Sequence, residues 1–245
     1  MDMLDYKIET TKRVDYIRRQ LDESGSGGIV FGNSGGKDSA LVGILCKLAC
    51  DNTVGLIMPC TSECNYGEDM TDALMISNLY RIEKRMVDLT KTADVLKKSL
   101  SGVTELTATA EANIAPRLRM TALYAVAATE GRLVAGTGNR SERHMGYFTK
   151  WGDGAFDFNP IADLTVSEIY KFLVHLDVPK RIIEKAPSAG LYDGQTDEDE
   201  MGITYKAIDE YLRSGVCAPE DMEIIAKYHR VSAHKRNPPN IYGDV

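Results

Sequence analysis

The run Ser34-Gly35-Gly36-Lys37-Asp38-Ser39 places two hydroxyls, two adjacent glycines, a cation and a carboxylate within six residues. Adjacent glycines permit positive φ and let a ligand approach the backbone closely. A helix beginning just after them would present free N–H groups and the positive end of its dipole to an anion. Ser34 and Ser39 can donate hydroxyls to phosphate oxygens. Asp38 would repel a phosphate unless a cation stood between them, and magnesium favours one or two carboxylates together with substrate phosphates. The chemistry on offer is therefore the binding of a metal-complexed polyphosphate. It is not the phosphate loop of a kinase or GTPase. That pattern requires Gly-Lys followed by Ser or Thr, with a glycine five positions before the pair. Here Asp38 follows Lys37, and Phe31 stands where that glycine should be.

The elements needed to position this loop are legible around it. Gly28–Gly32 is a short apolar run between glycines and predicts a buried strand. Further strands are expected over 53–58, 84–89 and 132–136, with a short edge strand at 156–158. Helices are expected over 3–22, 38–50, 66–79, 91–100 and 109–130, with Pro116 at a break or helix start in the last of these. In the first helix Val14, Ile17 and Leu21 recur at helical spacing. Alternating strands and helices imply an α/β fold, an open parallel sheet with helices on both faces. Ligands of such sheets bind beyond the carboxyl ends of the strands at the topological switch point. The candidate site is therefore formed by the loops Gly32–Asp38, Pro59–Tyr66 and Thr137–Trp151.

Composition narrows the function. The chain has 245 residues, 43% hydrophobic and 27% charged, enough for one large α/β domain or two small ones. A formal net charge of −7 argues against a nucleic-acid binder. No apolar run approaches the roughly 18–20 residues of a membrane span, and the first residues lack the apolar core of a signal peptide. A cytoplasmic location is expected. Five cysteines at irregular spacing do not form a disulfide framework. Cys46 and Cys50 fall on one expected helix and read as small hydrophobes; Cys60 and Cys64 lie in a loop without two further ligands nearby. The run Asp197-Glu198-Asp199-Glu200 reads as a solvated helix start.

The Ser34–Ser39 loop resembles that of the ATP pyrophosphatases, which cut ATP between its α and β phosphates. Four further stretches sharpen the resemblance: NIAPRLRM (113–120), GTGNRSERHMGYFTKWGDGAFDFNPIADL (136–164), KAPSAGLYDGQTDEDEMGITYKAID (185–209) and HKRNPP (234–239). In that order they resemble the ammonia-dependent NAD synthetases over about residues 28–240. The resemblance implies a three-layer, Rossmann-like sandwich of the adenine nucleotide α-hydrolase type, spanning 1–245 as a single domain without a glutaminase domain. It implies a ligase with magnesium as cofactor, a homodimer, and ATP, deamido-NAD and ammonia as substrates. In the implied reaction the nicotinate carboxylate attacks the α-phosphorus of ATP. Pyrophosphate leaves, and ammonia then displaces AMP from the acyl adenylate. The substrate supplies the nucleophile, so the protein positions groups and stabilises charge.

Matching motifs assigns residues. Gly32, Asn33, Ser34, Gly35, Gly36, Lys37 and Ser39 would hold ATP, with Thr137 and Ser188 as further contacts. Asp38 and Glu142 match the two magnesium carboxylates. Arg117, Tyr124, Tyr147, Phe148, Lys150, Asp157, His234 and Lys235 match or neighbour deamido-NAD contacts, the aromatics as candidates to stack on the ring. Lys150 would stabilise charge on the acyl group, and Asp157 or Asp153 would hold ammonium and accept its proton. Arg119, two positions beyond Arg117, points elsewhere on a helix and reads as structural. The segment 186–203 has no clear periodicity, and a loop of that length in a compact domain is usually functional. Two positions depart from the family: Ser188 stands in place of a threonine and keeps its hydroxyl, and Val166 stands where a lysine contacting ATP is usual. Either ATP is held less tightly, or another lysine, such as Lys37, compensates. The departure leaves open an ATP pyrophosphatase amidoligase acting on a different carboxylate.

Overall fold

A computed structural model describes residues 4–60, 66–185 and 196–243. Ser188 and Cys64, and most of the expected loop 186–203, lie outside the described residues. Four strands, β1 (Gly28–Gly32), β2 (Thr53–Ile57), β3 (Glu83–Met86) and β4 (Arg132–Ala135), form a sheet in the order β3-β2-β1-β4. Every pair in it is parallel. The expected edge strand at 156–158 is reduced to one parallel bridge between Ala135 and Phe158.

Side-chain alternation along the strands builds the layers. Ile29 and Phe31 of β1 face one core, with Ile17 of α1 (Tyr6–Ser24), Leu41 and Leu45 of α2 (Lys37–Ala49), and residues of a later helix. Val30 of β1 faces the opposite core with Val54, Leu56 and Val134. Of the helices between β2 and β4, α3 (Glu68–Leu79) follows β2, α4 (Thr90–Ser101) follows β3, and α5 (Ala108–Ala112) leads into α6 (Ile114–Glu130). Ala93 of α4 and Ala127 of α6 pack on the second face, whereas Ile76 of α3 joins the first core. The break expected near Pro116 falls at Asn113, so Pro116 sits in the first turn of α6, where a missing N–H breaks no helical bond.

After β4 the chain is helical: α7 (Arg140–Met145), α8 (Val166–His175), α9 (Lys180–Ile183), α10 (Asp197–Met201), α11 (Tyr205–Ser214), α12 (Pro219–Val231) and α13 (Ala233–Arg236). Met145, Val166, Met201, Ile203, Tyr205, Ile208 and Ile225 form a third buried cluster beside the sheet. Buried Val166 is part of this apolar packing, with its N–H donated to Ser141 Oγ at 3.3 Å. Asp209 ties the same corner together. It accepts from Ser141 Oγ at 2.5 Å and from Ser167 N at 2.7 Å.

Where α7 meets α12, the rings of His144 and His229 stack at 4.3 Å. Burial, then the charges of His229, Arg236 and Arg140, lower the pKa of His144 from 6.5 to about 4. Between those values the unfolded chain binds the proton and the folded chain does not. Stability therefore rises with pH across this window and is lost as pH falls from about 6.5 towards 4. Thermal melts are expected to show the wild type losing stability relative to His144→Gln as pH falls from about 6.5 towards 4. Parallel curves would show that His144 does not titrate in this way.

Candidate active site

The order β3-β2-β1-β4 reverses direction between β1 and β4. At the carboxyl ends of these two strands opens a cavity of about 1170 Å³. Its floor is the turn from β1 to α2. Gly35 adopts φ +76°, and Gly36 caps α2 without any side chain spending a hydrogen bond on the helix start. The N–H groups of that first turn are thus available to an anion. Ser34 Oγ and Ser39 Oγ lie 3.1 Å apart, and both residues line the cavity. Asn33 braces the turn from behind: its Nδ2 donates to Ala73 O and Ser77 Oγ, and its Oδ1 accepts from Gly35 N.

The turn after β4 approaches from the other side of the switch point. Asn139 and Glu142 form a reciprocal capping box at the start of α7. Glu142 N donates to Asn139 Oδ1 at 2.9 Å, and Asn139 N donates to Glu142 Oε2 at 3.0 Å. The amide of Asn139 also donates to Asp38 Oδ1 at 3.2 Å. One buried asparagine therefore sets both carboxylates. Burial first, then the negative charge of Asp38, pushes Glu142 up to about 8. Lys37 Nζ answers part of that charge with a 2.8 Å ion pair to Asp38 Oδ2. Among the described residues no three His, Cys, Asp or Glu side chains cluster to hold a metal ion unaided. Two hard oxygen ligands whose mutual repulsion a cation would relieve do suit magnesium that also takes phosphate oxygens.

The remaining expected residues divide by position. Gly32, Thr137, Tyr147, Phe148, Asp153 and Lys235 line the same cavity as the phosphate turn. Tyr147 OH donates to Glu200 Oε2 at 2.7 Å. Lys235 Nζ donates to the carbonyls of Gly146 and Phe148, and burial lowers its pKa. Asp153 opens onto the cavity and accepts Thr149 N at 2.9 Å. It is solvent-exposed on the cavity side, and the protein packed around it shifts its pKa upwards. Asp157 is turned away towards β4, accepting from Val134 N at 2.7 Å and Tyr124 OH at 3.2 Å. Lys150 Nζ donates to the carbonyl of His234 at 2.7 Å, and Arg117 Nε donates to Lys150 O at 3.4 Å. Arg117, Tyr124, Lys150, Asp157 and His234 thus stand outside the cavity lining.

Several lining residues were not singled out from sequence. Arg119, expected to be structural, enters the cavity wall with its Nε on Met58 O at 3.0 Å. Asp197, read as part of a solvated run, is 4% exposed and accepts from Tyr205 OH at 3.0 Å. Lys185 reaches the cavity while paired with Asp69 and Asp72. The Asn-x-x-Glu spacing of a capping box was the available signal for Asn139. Arg119 and Asp197 carried no comparable local signal.

An open parallel sheet with a glycine turn, a free helix start and paired carboxylates at its switch point defines an α/β protein with a site suited to a metal-complexed polyphosphate. Comparison with known proteins narrows the class. The sequence profile of the NAD synthase family matches residues 9–239, and the chain belongs to that family. It is 45% identical over 241 residues to the NH(3)-dependent NAD(+) synthetase of Carboxydothermus hydrogenoformans, covering 97% of this chain and 98% of that one. The NMN synthetase of Francisella tularensis superposes with a TM-score of 0.93 at 37% identity, covering 98% of this chain and all of that chain. The NH3-dependent NAD synthetase of Campylobacter jejuni, solved with a nitrate ion, superposes at 0.79 and 32% identity, covering 98% and 99%.

Proposed function

We propose that this protein amidates the nicotinate carboxylate of deamido-NAD with ammonia, consuming ATP and releasing AMP and pyrophosphate. The observation that carries the reading is the meeting of the Ser34–Ser39 turn and the Asp38–Glu142 pair in one cavity, within a chain of the NAD synthase family. The first turn of α2, with Ser34 and Ser39, holds the phosphates. Asp38 and Glu142 hold magnesium, which when bound offsets charge developing on the departing pyrophosphate. Asp153 takes the ammonium role left open between it and Asp157, because it alone of the two faces the cavity. Its carboxylate on the cavity wall is placed to accept a proton as the amine attacks. Arg117 and Lys150, with His234 beside them, provide a cationic surface for the outer part of the nucleotide substrate. A homodimer in the cytoplasm is the form that this reading implies. Among the described residues no helix is long and apolar enough to cross a membrane.

A second reading concerns substrate length. The 0.93 superposition on an NMN synthetase favours the mononucleotide form of the same acid. The purified protein should be incubated with ATP, magnesium and ammonium plus either deamido-NAD or nicotinate mononucleotide. Equal amounts of amidated product, AMP and pyrophosphate are expected, and the faster acid identifies the substrate. Intact ATP with both acids, in folded protein, would overturn the amidation reading.

A further inference from the structure

Lys37 occupies a position that three effects disfavour. It is 6% exposed, and a buried lysine without a partner loses solvation. It is the first residue of α2, where the helix dipole opposes a positive charge. Its partner is its immediate neighbour, and adjacent residues on a helix do not face each other. The side chain nevertheless folds back so that Nζ lies 2.8 Å from Asp38 Oδ2. Its ammonium also stands 5.7 Å from the ring centre of Tyr205 and 6.0 Å from that of Tyr170. Those rings belong to the apolar cluster that includes Val166. The negative charges acting at this place are Asp38, Glu142 and, from α10, Asp197.

We infer that Lys37 is a positioning residue: the resident counter-ion of the Asp38–Glu142 pair, rather than a clamp on the phosphates. The inference rests on the reading of that pair as a magnesium site. An ammonium bound to Asp38 Oδ2 leaves the pair partly neutralised before any ligand arrives. A divalent cation entering alone must displace it. One that arrives already bound to a nucleotide brings phosphate charge that the ammonium can answer instead. Lys37 therefore favours entry of the metal with the nucleotide over entry of the metal alone. The two tyrosine rings confine the lysine tip to the carboxylate side, because a cation is attracted to their faces.

The test is nucleotide-free Mn2+ binding, read from the electron paramagnetic resonance signal of free Mn2+. Wild type, Lys37→Gln, Lys37→Met and Asp38→Asn are compared, with ATP titrations run in parallel. Removing the ammonium is expected to tighten Mn2+ binding at least tenfold in both lysine variants. Glutamine keeps polarity and much of the length, so it gives a reading if methionine prevents folding. A general loss of structure would weaken binding and cannot mimic this gain. Unchanged Mn2+ affinity together with a raised KM for ATP would make Lys37 a phosphate clamp and overturn the inference. Mn2+ affinity unchanged in Asp38→Asn would overturn it differently, by showing that the carboxylates hold no metal.

Discussion

Replacing Asp38 with asparagine is expected to lower kcat/KM for ATP about 10³-fold, the upper range for losing one preorganised charge-stabilising group. Asparagine has nearly the same shape, and its carbonyl can still accept the bond from Asn139 Nδ2. What disappears is one of two negative charges in a site read as holding magnesium. Lys37 loses its 2.8 Å ion-pair partner at the same time. The fold is expected to weaken by about 1–3 kcal/mol, the usual cost of leaving a buried polar group underpaired. Activity should therefore be measured on protein whose folded fraction is established from a melt. Pyrophosphate release measured against ATP concentration, repeated across a magnesium series, separates the two effects. A variant within threefold of wild type at every magnesium concentration would remove Asp38 from the metal site. If excess magnesium restores part of the rate, Asp38 acts through metal affinity as well as through the transition state.

Most of the scaffold could be read from periodicity. Gly28–Gly32, Thr53–Ile57 and Arg132–Ala135 are short apolar or β-branched runs between turn signals, and each became a strand of the parallel sheet. The third strand was read as longer than Glu83–Met86. Beyond Met86 the chain still bonds β2 and its loop through Val87 N and Leu89 N, without continuing as a paired strand. The glycine turn was legible because its chemistry is local: two glycines, two hydroxyls and a helix start need no distant partner. Glu142 was legible through its match to the family motif and its place beyond a strand end, and the capping box with Asn139 gives that position its local geometry.

What sequence could not supply was direction in space. Asp197 looks like its acidic neighbours, yet the hydroxyl of Tyr205, eight residues on, holds it in the interior. Arg117 and Arg119 differ by two positions on α6, so one turns towards Met58 O and the cavity while the other meets Lys150 O outside it. Asp153 and Asp157 share one loop. The bridge between Ala135 and Phe158 lays 157 beside β4, where its carboxylate caps Val134 N, and leaves 153 in the cavity wall. These choices depend on which residues from remote elements arrive alongside. One chain read without its packing does not contain that information.

Gly35→Ala is expected to cost about 3 kcal/mol of stability and to raise KM for ATP more than tenfold, from strain and overpacking together. The φ of +76° strains any residue with a Cβ, at about 1 kcal/mol. A Cβ built there would overlap the main-chain oxygen of Asp69 and stand 3.0 Å from Ala73 N. Both are backbone atoms of α3, not the movable end of a side chain, so relief requires the loop or the helix to shift. Overpacking of this kind costs about 1–3 kcal/mol. Gly131→Ala provides the control, because Gly131 has φ +62° and open space where a Cβ would stand. It should lose only the strain term, about 1 kcal/mol. The difference between the two variants then isolates the contact with α3. That contact matters to function because Asn33, beside Gly35, is tied to Ala73 O and Ser77 Oγ of the same helix. Moving the turn away from α3 breaks that brace and displaces the N–H groups that face the cavity. Denaturant melts give the stabilities and initial rates against ATP give KM. Equal losses of stability in the two variants would show that the turn accommodates a methyl group. A normal KM in a destabilised Gly35→Ala would show that its position against α3 is not what shapes the phosphate site.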